Sequence, residues 1–451
     1  MYRLIYNRNK MPKKDLKIKR GTCILTEEPF CYILKSKFRK ERCDYCLQQG
    51  HVKKCSNCEY AYYCNRFCQV NAWPIHKVEC PFLKKIAPRD VPDAARMLHR
   101  IILRLQNGGD LIKGYYTETC SRKFRDLMSH YAEIKNDAKR LEHIESLESV
   151  LIDLLGNNLM PNHTELLGIY GRLITNGFNI LDPEMNSVGT GIYLGVSVTD
   201  HSCTPNAVAT FEGTTLKIRL TKDIPCLDWS KIFISYIDLL DTAVQRRQTL
   251  MENYYFLCTC SKCIDEQEML EMVSPACQNK KCSGFVSLSK NECQVCKRII
   301  TKDFIKQYEE VMEFTKNHLE NMKEIAYLDV CKICLDKQNN VLHQLNLWRI
   351  KTLDSAFESA IEFNKWADAI EFGSQLVPGF KKYYGECHPL LGMLYTKLGK
   401  IQLYERYPKI ALRNFEEARK ILEITHGADH SIFRQQLRPL ILQASLENNE
   451  T

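Results

Sequence analysis

The chain has 451 residues, 45% of them hydrophobic and 26% charged, with a formal net charge of +9. That length exceeds one ordinary core and implies two to four domains of a globular chain. No apolar run approaches the ~18 residues that a membrane-spanning helix needs, and the positive charge is too diffuse to specify a nucleic-acid partner.

The first twenty residues hold eight Lys/Arg and no apolar core of the signal-peptide kind. They read as a solvated basic segment of a protein that stays inside the cell, in cytoplasm and nucleus. Cysteine is the informative residue, with 22 in the chain. Inside the cell, clustered cysteines mean metal more often than disulfide. Between residues 43 and 80 the pattern is Cys43-x2-Cys46, Cys55-x2-Cys58, Cys64-x3-Cys68 and His76-x3-Cys80. Zinc takes four soft or borderline ligands in a tetrahedron, and each short pair lets one turn supply two of them. Eight ligands make two closed sites, and so small a segment depends on metal for much of its folding energy. His51 lies outside the pattern and reads as a surface residue.

Beyond the finger, "DAARMLHRIILRL" has apolar residues at helical spacing, with Asp93 as N-cap and "NGG" at 107–109 as a stop. "HIESLESVLIDLLG" repeats that spacing, so roughly 85–175 is expected to be helical. The texture then changes. "AVATFEGTTLKIRL" reads as two strands about a Glu-Gly turn, with Leu216, Ile218 and Leu220 alternating against Lys217 and Arg219. "KIFISY" reads as a short strand ending at Tyr236, giving an antiparallel region over about 186–237. Next comes Cys258-x-Cys260-x2-Cys263, an incomplete metal site whose fourth ligand must come from elsewhere. Cys277-x4-Cys282 and Cys293-x2-Cys296 fit a small zinc ribbon and fit unligated thiols equally well, because the first pair is loosely spaced. Cys331 and Cys334 lie in a helical run and are read as packing residues. Cys23, Cys31, Cys120, Cys226 and Cys387 are read as ordinary thiols. From about 301 onward helices dominate, and "NKWADAIEFGSQL…YYGECHPL" aligns with "RYPKIALRNFEEA…THGADHSI" at an offset of 42, Gly385 on Gly427 and His388 on His430. That pattern predicts antiparallel helix pairs of tetratricopeptide type.

Residues 43–80, above all "YCNRFCQVNAWPIHKVEC", resemble a MYND zinc finger. The resemblance implies interleaved ligation, with Cys43, Cys46, Cys64 and Cys68 on one zinc and Cys55, Cys58, His76 and Cys80 on the other. "DHSCTPN" at 200–206, followed by "ISY" some thirty residues later, resembles a SET domain. The whole order resembles the SMYD family of SET- and MYND-containing protein-lysine methyltransferases. An α+β multidomain fold is then expected: partial SET strands at 1–42, the MYND finger at 43–80, a helical insert at 81–175, the SET core at 176–257, a post-SET cysteine segment at 258–300 and a TPR-like helical domain at 301–451. The family implies that Cys203 completes a third zinc site with Cys258, Cys260 and Cys263. It also implies methyl transfer from S-adenosylmethionine to a lysine of a histone or other protein. Position by position, Tyr236 and Tyr254 match its catalytic tyrosines. Asn176, Ser197, Asp200, His201 and Phe256 match the cofactor side, and Phe178 the wall of the substrate channel. Asn206 matches a residue that hydrogen-bonds within the threaded loops. Proline-containing peptides are the expected partners of the finger, with a further protein on the helical domain, in a monomer.

Three departures from the family pattern stand out. Its Gly-x-Gly turn has no counterpart before "DLKIKRGTCILTEEPF", which reads as the following strand pair with Gly21 in its hairpin. The turn is either divergent or removed with a shortened N-terminus. Asp200 replaces the usual Asn, giving acceptors where the amide would also donate. "CLDWSKIF" replaces an acidic stretch. These departures keep a second expectation in view, a SET/MYND-derived zinc-binding scaffold and transcriptional co-regulator with weak or no transferase activity.

Overall fold

A computed structural model describes residues 17–322 and 327–450. Five of the eight basic residues and the position of the missing glycine turn fall within residues 1–16, outside the described residues. Among the described residues no helix is long and apolar enough to cross a membrane.

Two three-stranded antiparallel sheets form the centre. In one, Thr215–Leu220 lies between Cys23–Glu27 and Ala207–Glu212. In the other, Ser187–Ile192 lies between Cys31–Leu34 and Gly177–Leu181. The alternation at 216–220 is realised: Leu216, Ile218 and Leu220 are fully buried, and the turn before them places Gly213 at φ +62°. Residues 17–27 do not form the expected hairpin. Ile18 bridges Ile224, and Cys23–Glu27 pairs with the same far chain segment. Gly21, at φ +86°, redirects the chain between them, a conformation glycine adopts without steric cost.

"KIFISY" is also corrected. Only Phe233–Ile234 is a strand, and it pairs in parallel with Asp200–His201. Asp228 caps a short turn over Trp229–Lys231. The Phe233 N–H then goes to the Asn206 side chain (2.8 Å) and the Tyr236 N–H to His201 Nδ1 (3.0 Å). Side chains of the 200–206 motif thus take the donors a longer ladder would have used.

Between the sheets' strands in sequence stand the finger and four principal helices: Arg66–Ile86, Asp93–Gln106, Ala138–Leu155 and His163–Asn176. Asn65 and Asn162 cap two of them by accepting backbone N–H groups. Asp93 is not a cap. It is the first residue of its helix, behind Pro92, and its carboxylate accepts the Ser36 N–H at 2.9 Å. Met97, Leu98, Ile101 and Ile102 pack in one core with Ile144, Leu147, Leu151 and Leu154. The helical span is broken by a hairpin of Gly114–Tyr115 with Ser121–Arg122.

The C-terminal part is a run of helices, Lys302–Asn321, Leu328–Gln338, Leu347–Glu362, Trp366–Tyr384, Pro389–Tyr404, Pro408–Thr425 and Arg438–Glu450, with its own core. Cys331 and Cys334 are buried there, as packing residues. The 42-residue offset is visible as repeated local geometry. Gly385 and Gly427 both close a helix at positive φ (+92° and +89°). His388 and His430 each accept a backbone N–H two residues on.

Candidate functional site

In the finger, Cys43, Cys46, Cys64 and Cys68 bring their ligand atoms within 4.8 Å of one another, and so do Cys55, Cys58, His76 and Cys80. The two sets interleave along the chain. Tetrahedral zinc with Zn–S bonds of about 2.3 Å separates its sulfurs by roughly 3.8 Å. Cys46–Cys64 is 3.8 Å and Cys55–Cys80 is 4.0 Å, far beyond a disulfide bond. The donor sets therefore fit zinc. His76 turns Nε2 toward Cys58 Sγ (3.5 Å) and Nδ1 toward Glu79 (3.2 Å), and that carboxylate fixes the ring.

Glu79 opens onto a feature that sequence reasoning missed. Glu79 and Asp44 are buried with Arg96 and Arg100, which reach both carboxylates at 2.6–3.0 Å. Burial works against the charge on Glu79, but the Arg100 and Arg96 guanidiniums hold its carboxyl well below the ordinary carboxylate range. Two acids from the finger and two bases of the Asp93–Gln106 helix thus bolt the finger to the helical layer. The available signals were a Glu three residues after a ligand His and an Arg pair at helical i, i+4 spacing.

Cys203 joins Cys258, Cys260 and Cys263 in a third tetrad, with Cys203–Cys263 at 3.5 Å. Arg246, fully buried, sets a guanidinium nitrogen 3.8 Å from Cys263 Sγ, where it faces the sulfurs. Cys277, Cys282, Cys293 and Cys296 also converge.

Beside the third tetrad lies a cavity of about 290 Å³. Its wall includes Asn176, Phe178, Ser197, Tyr236 and Tyr254, five of the eight non-cysteine residues expected at the site. The Tyr236 and Tyr254 rings lie 5.0 Å apart. The Tyr236 hydroxyl donates to the Thr199 carbonyl (2.5 Å), and the Tyr254 hydroxyl to the Tyr236 carbonyl (3.3 Å). Burial raises both phenol pKa values, so both stay neutral.

The other three expected residues are not on this wall. His201 lies behind Tyr236, its ring 5.4 Å from the tyrosine and 5.9 Å from Phe256. Burial depresses its pKa to about 4, so it accepts the Tyr236 N–H as a neutral imidazole. Asp200 is exposed at the edge of the parallel pair. Asn176 donates to the Met128 and Arg172 carbonyls (2.8 and 2.9 Å), and Ser197 to Leu194 (2.6 Å). Asn206 ties the motif to the facing segment from both ends of its amide, donating to Lys231 O (2.7 Å) and accepting from Phe233 N.

Further residues that sequence reasoning did not single out complete the site. Asp238 lines the cavity next to Tyr236. Glu27 accepts the Gly195 and Val196 N–H groups (2.9 and 2.8 Å) and shapes the loop carrying Ser197. Arg122 donates to the Ser197 carbonyl at 2.6 Å. Their partners are mostly backbone groups, which leave no trace in side-chain patterning.

Residues 43–80 match the MYND finger family model. Most of the chain is similar to known methyltransferases. It is 28% identical over 420 residues to histone-lysine N-methyltransferase SMYD3 of Homo sapiens, covering 91% of this chain and 90% of that protein. It is 28% identical over 417 residues to N-lysine methyltransferase SMYD2-A of Xenopus laevis, covering 91% of each. It is 26% identical over 446 residues to histone-lysine N-methyltransferase ASHR1 of Arabidopsis thaliana, covering 95% of this chain and 91% of that protein.

Proposed function

The chain belongs to the SMYD family, and from that premise we propose that it is a protein-lysine methyltransferase using S-adenosylmethionine, with the 290 Å³ cavity as its lysine channel. In this reading the central sheets are its SET core and the C-terminal helices its TPR-like domain. The observation that carries it is the convergence of Tyr236, Tyr254 and Phe178 on one narrow cavity held beside the Cys203 tetrad.

When bound, S-adenosylmethionine supplies a methyl carbon on a sulfonium. The chain's part is positional. A lysine side chain enters along the wall that Phe178, Tyr236 and Tyr254 form, which excludes water and favours the neutral amine, the only form with a lone pair. Asn176 and Ser197 on the cavity wall would hold the cofactor, whose sulfonium methyl would be offered to the amine. Thr199 fixes the Tyr236 hydroxyl so that its oxygen faces the forming charge without reorganising. The cavity fits this task by its wall of Phe178, Tyr236 and Tyr254, whose two hydroxyls are held by the Thr199 and Tyr236 carbonyls. A histone or another protein would supply the lysine.

Calorimetric titration with S-adenosylmethionine tests the reading directly. Saturable binding is expected, and no heat or thermal shift at millimolar cofactor would sink it. With binding intact, Tyr236→Phe should lower methyl transfer to bulk histone or cell protein by about 10²-fold or more.

A second reading is favoured by the finger helix. Phe67, Val70 and Trp73 expose 70%, 59% and 48% of their surface at successive i, i+3 positions. A stripe of that kind on a rigid helix suits docking of a proline-containing peptide. It supports a recruiting role that would persist in a zinc-bound scaffold if cofactor binding fails.

A further inference from the structure

The cysteines at 277–296 take no part in methyl transfer or in the finger. We propose that Cys277, Cys282, Cys293 and Cys296 hold a fourth zinc, and that the ribbon it closes braces the helical array against the lobe that carries the cavity.

The ligand geometry comes first. All four sulfurs lie within 4.8 Å of one another. Cys277–Cys296 is 3.5 Å and Cys282–Cys293 is 3.7 Å, close to the roughly 3.8 Å edge of a zinc–thiolate tetrahedron. After each ligand of the first pair, a backbone N–H two residues on points back at the sulfur: Asn279 N to Cys277 Sγ and Gly284 N to Cys282 Sγ, both at 3.4 Å. Such turns present donors to a thiolate and orient it. Gly284 has to be glycine, since a Cβ there would sit 2.9 Å from Cys293 Sγ and 2.8 Å from Val295.

The second argument is energetic. Apart from the tetrad, the segment has a two-residue hairpin, Val286–Ser287 with Glu292–Cys293. Its apolar centre is Val286, Cys293, Ile300 and Phe304. A core of that size does not order some twenty residues by itself, and structural zinc is the usual supplement.

The third argument is position. The ribbon clasps the loop at 341–346, just before the Leu347–Glu362 helix. Ala276 N donates to Val341 O (2.9 Å), and Asn346 Nδ2 to Ser274 O (3.0 Å). His343 accepts Leu345 N–H at Nδ1 and donates from Nε2 to Ser283 O (3.1 Å). The helix so anchored carries Lys351, which reaches Asp241 at 3.2 Å. The Asp241 carbonyl in turn accepts from Arg246, the cation behind the Cys203 tetrad. Two metal sites therefore stand at the ends of one chain of contacts, and Asp241 lies three residues from Asp238 on the cavity wall. Zinc in the ribbon fixes the loop, the loop fixes the helix, and the helix fixes the segment leaving Tyr236.

Zinc analysis of the full chain should give four ions, falling to three in Cys293→Ser/Cys296→Ser. In that variant amide hydrogen exchange at 341–346 should quicken by tenfold or more while exchange at 43–80 stays as it was. Loss of one zinc with unchanged exchange at 341–346 would overturn the brace. Alkylation of the unmutated native chain, read by peptide mapping, covers the case of a variant that fails to fold. Cys296, Cys120 and Cys226 are all exposed. Cys296 should resist until a chelator is added, whereas Cys120 and Cys226 react at once. Equal reaction of all three without chelator would overturn the site.

Discussion

His99 is buried to 1% exposure on the Asp93–Gln106 helix, its ring edge-on to Phe82 at 5.9 Å, and its Nε2 has no hydrogen-bond partner among the described residues. Burial depresses its pKa to about 4 from an ordinary 6.5. Folding therefore favours the neutral ring. The stability this preserves is complete above pH 6.5 and is lost as pH falls from 6.5 toward 4. His99→Phe keeps the shape and removes the proton site. Its stability relative to the unmutated chain should rise on acidification, by on the order of 2 kcal/mol at pH 5 compared with pH 7.5. Thermal melts of both proteins across that range check it, because zinc loss in acid is common to the two. Parallel pH profiles would show that His99 does not titrate on folding. At this scale the residues of the converging tetrads were the readable ones, since a thiol in a short pair announces its chemistry by type and spacing. Tyr236, Tyr254 and Phe178 were readable only as an ordered set, each being an ordinary core aromatic by itself. Glu27 and Arg122 were not readable, because their partners are backbone N–H groups and a carbonyl.

At the scale of elements, the finger and the Asp93–Gln106 helix meet through the buried Asp44, Glu79, Arg96 and Arg100. Removing one member of such a group leaves its partners charged and uncompensated in a dry place, at a cost of about 3–5 kcal/mol. Glu79→Gln should lose that much stability, and because Glu79 also orients His76, it should weaken zinc by about 10- to 100-fold. Glu59→Gln, which breaks only the exposed pair with Lys54, should leave both the melt and the zinc affinity unchanged. Chemical melts and competition with a chromophoric chelator compare the two, and equal effects would refute the coupling. Helices were readable here because their apolar faces recur at a fixed period. The short strands were misread because non-local partners decide them: Asn206 and His201 take the N–H groups that would have extended Phe233–Ile234. Pro92 displaced Asp93 from the cap for a local reason, and the freed carboxylate went to Ser36.

For the whole molecule, the placement of the converging tetrads divides the chain into parts that should depend on zinc to different degrees. The tetrads lie at 43–80, 203–263 and 277–296. The order of these parts was readable from cysteine spacing and the 42-residue offset. The way the C-terminal helices return to the sheets was not, since it runs through single contacts such as Lys262 with the Tyr383 carbonyl (2.8 Å) and His430 with Phe211 (2.8 Å). The helices from Leu328 onward hold a core of Leu353, Phe357, Leu376, Leu398, Phe415 and Leu422, with neighbours joined by loops of three or four residues from Leu347 to Thr425. No tetrad member contributes to it. Contacts between successive helices are local in sequence, and stability in such arrays is close to a sum over neighbours. Stripping the metal with a strong chelator should therefore unfold 43–80 and loosen the segment from 200 to 300, while the array keeps its helices. Limited proteolysis under chelation should release a resistant fragment beginning near residue 327, and far-ultraviolet circular dichroism should retain the helical signal of that fragment. Digestion of the array at the same rate as the finger would show that its fold depends on the metal-bearing lobe, and the division would be wrong.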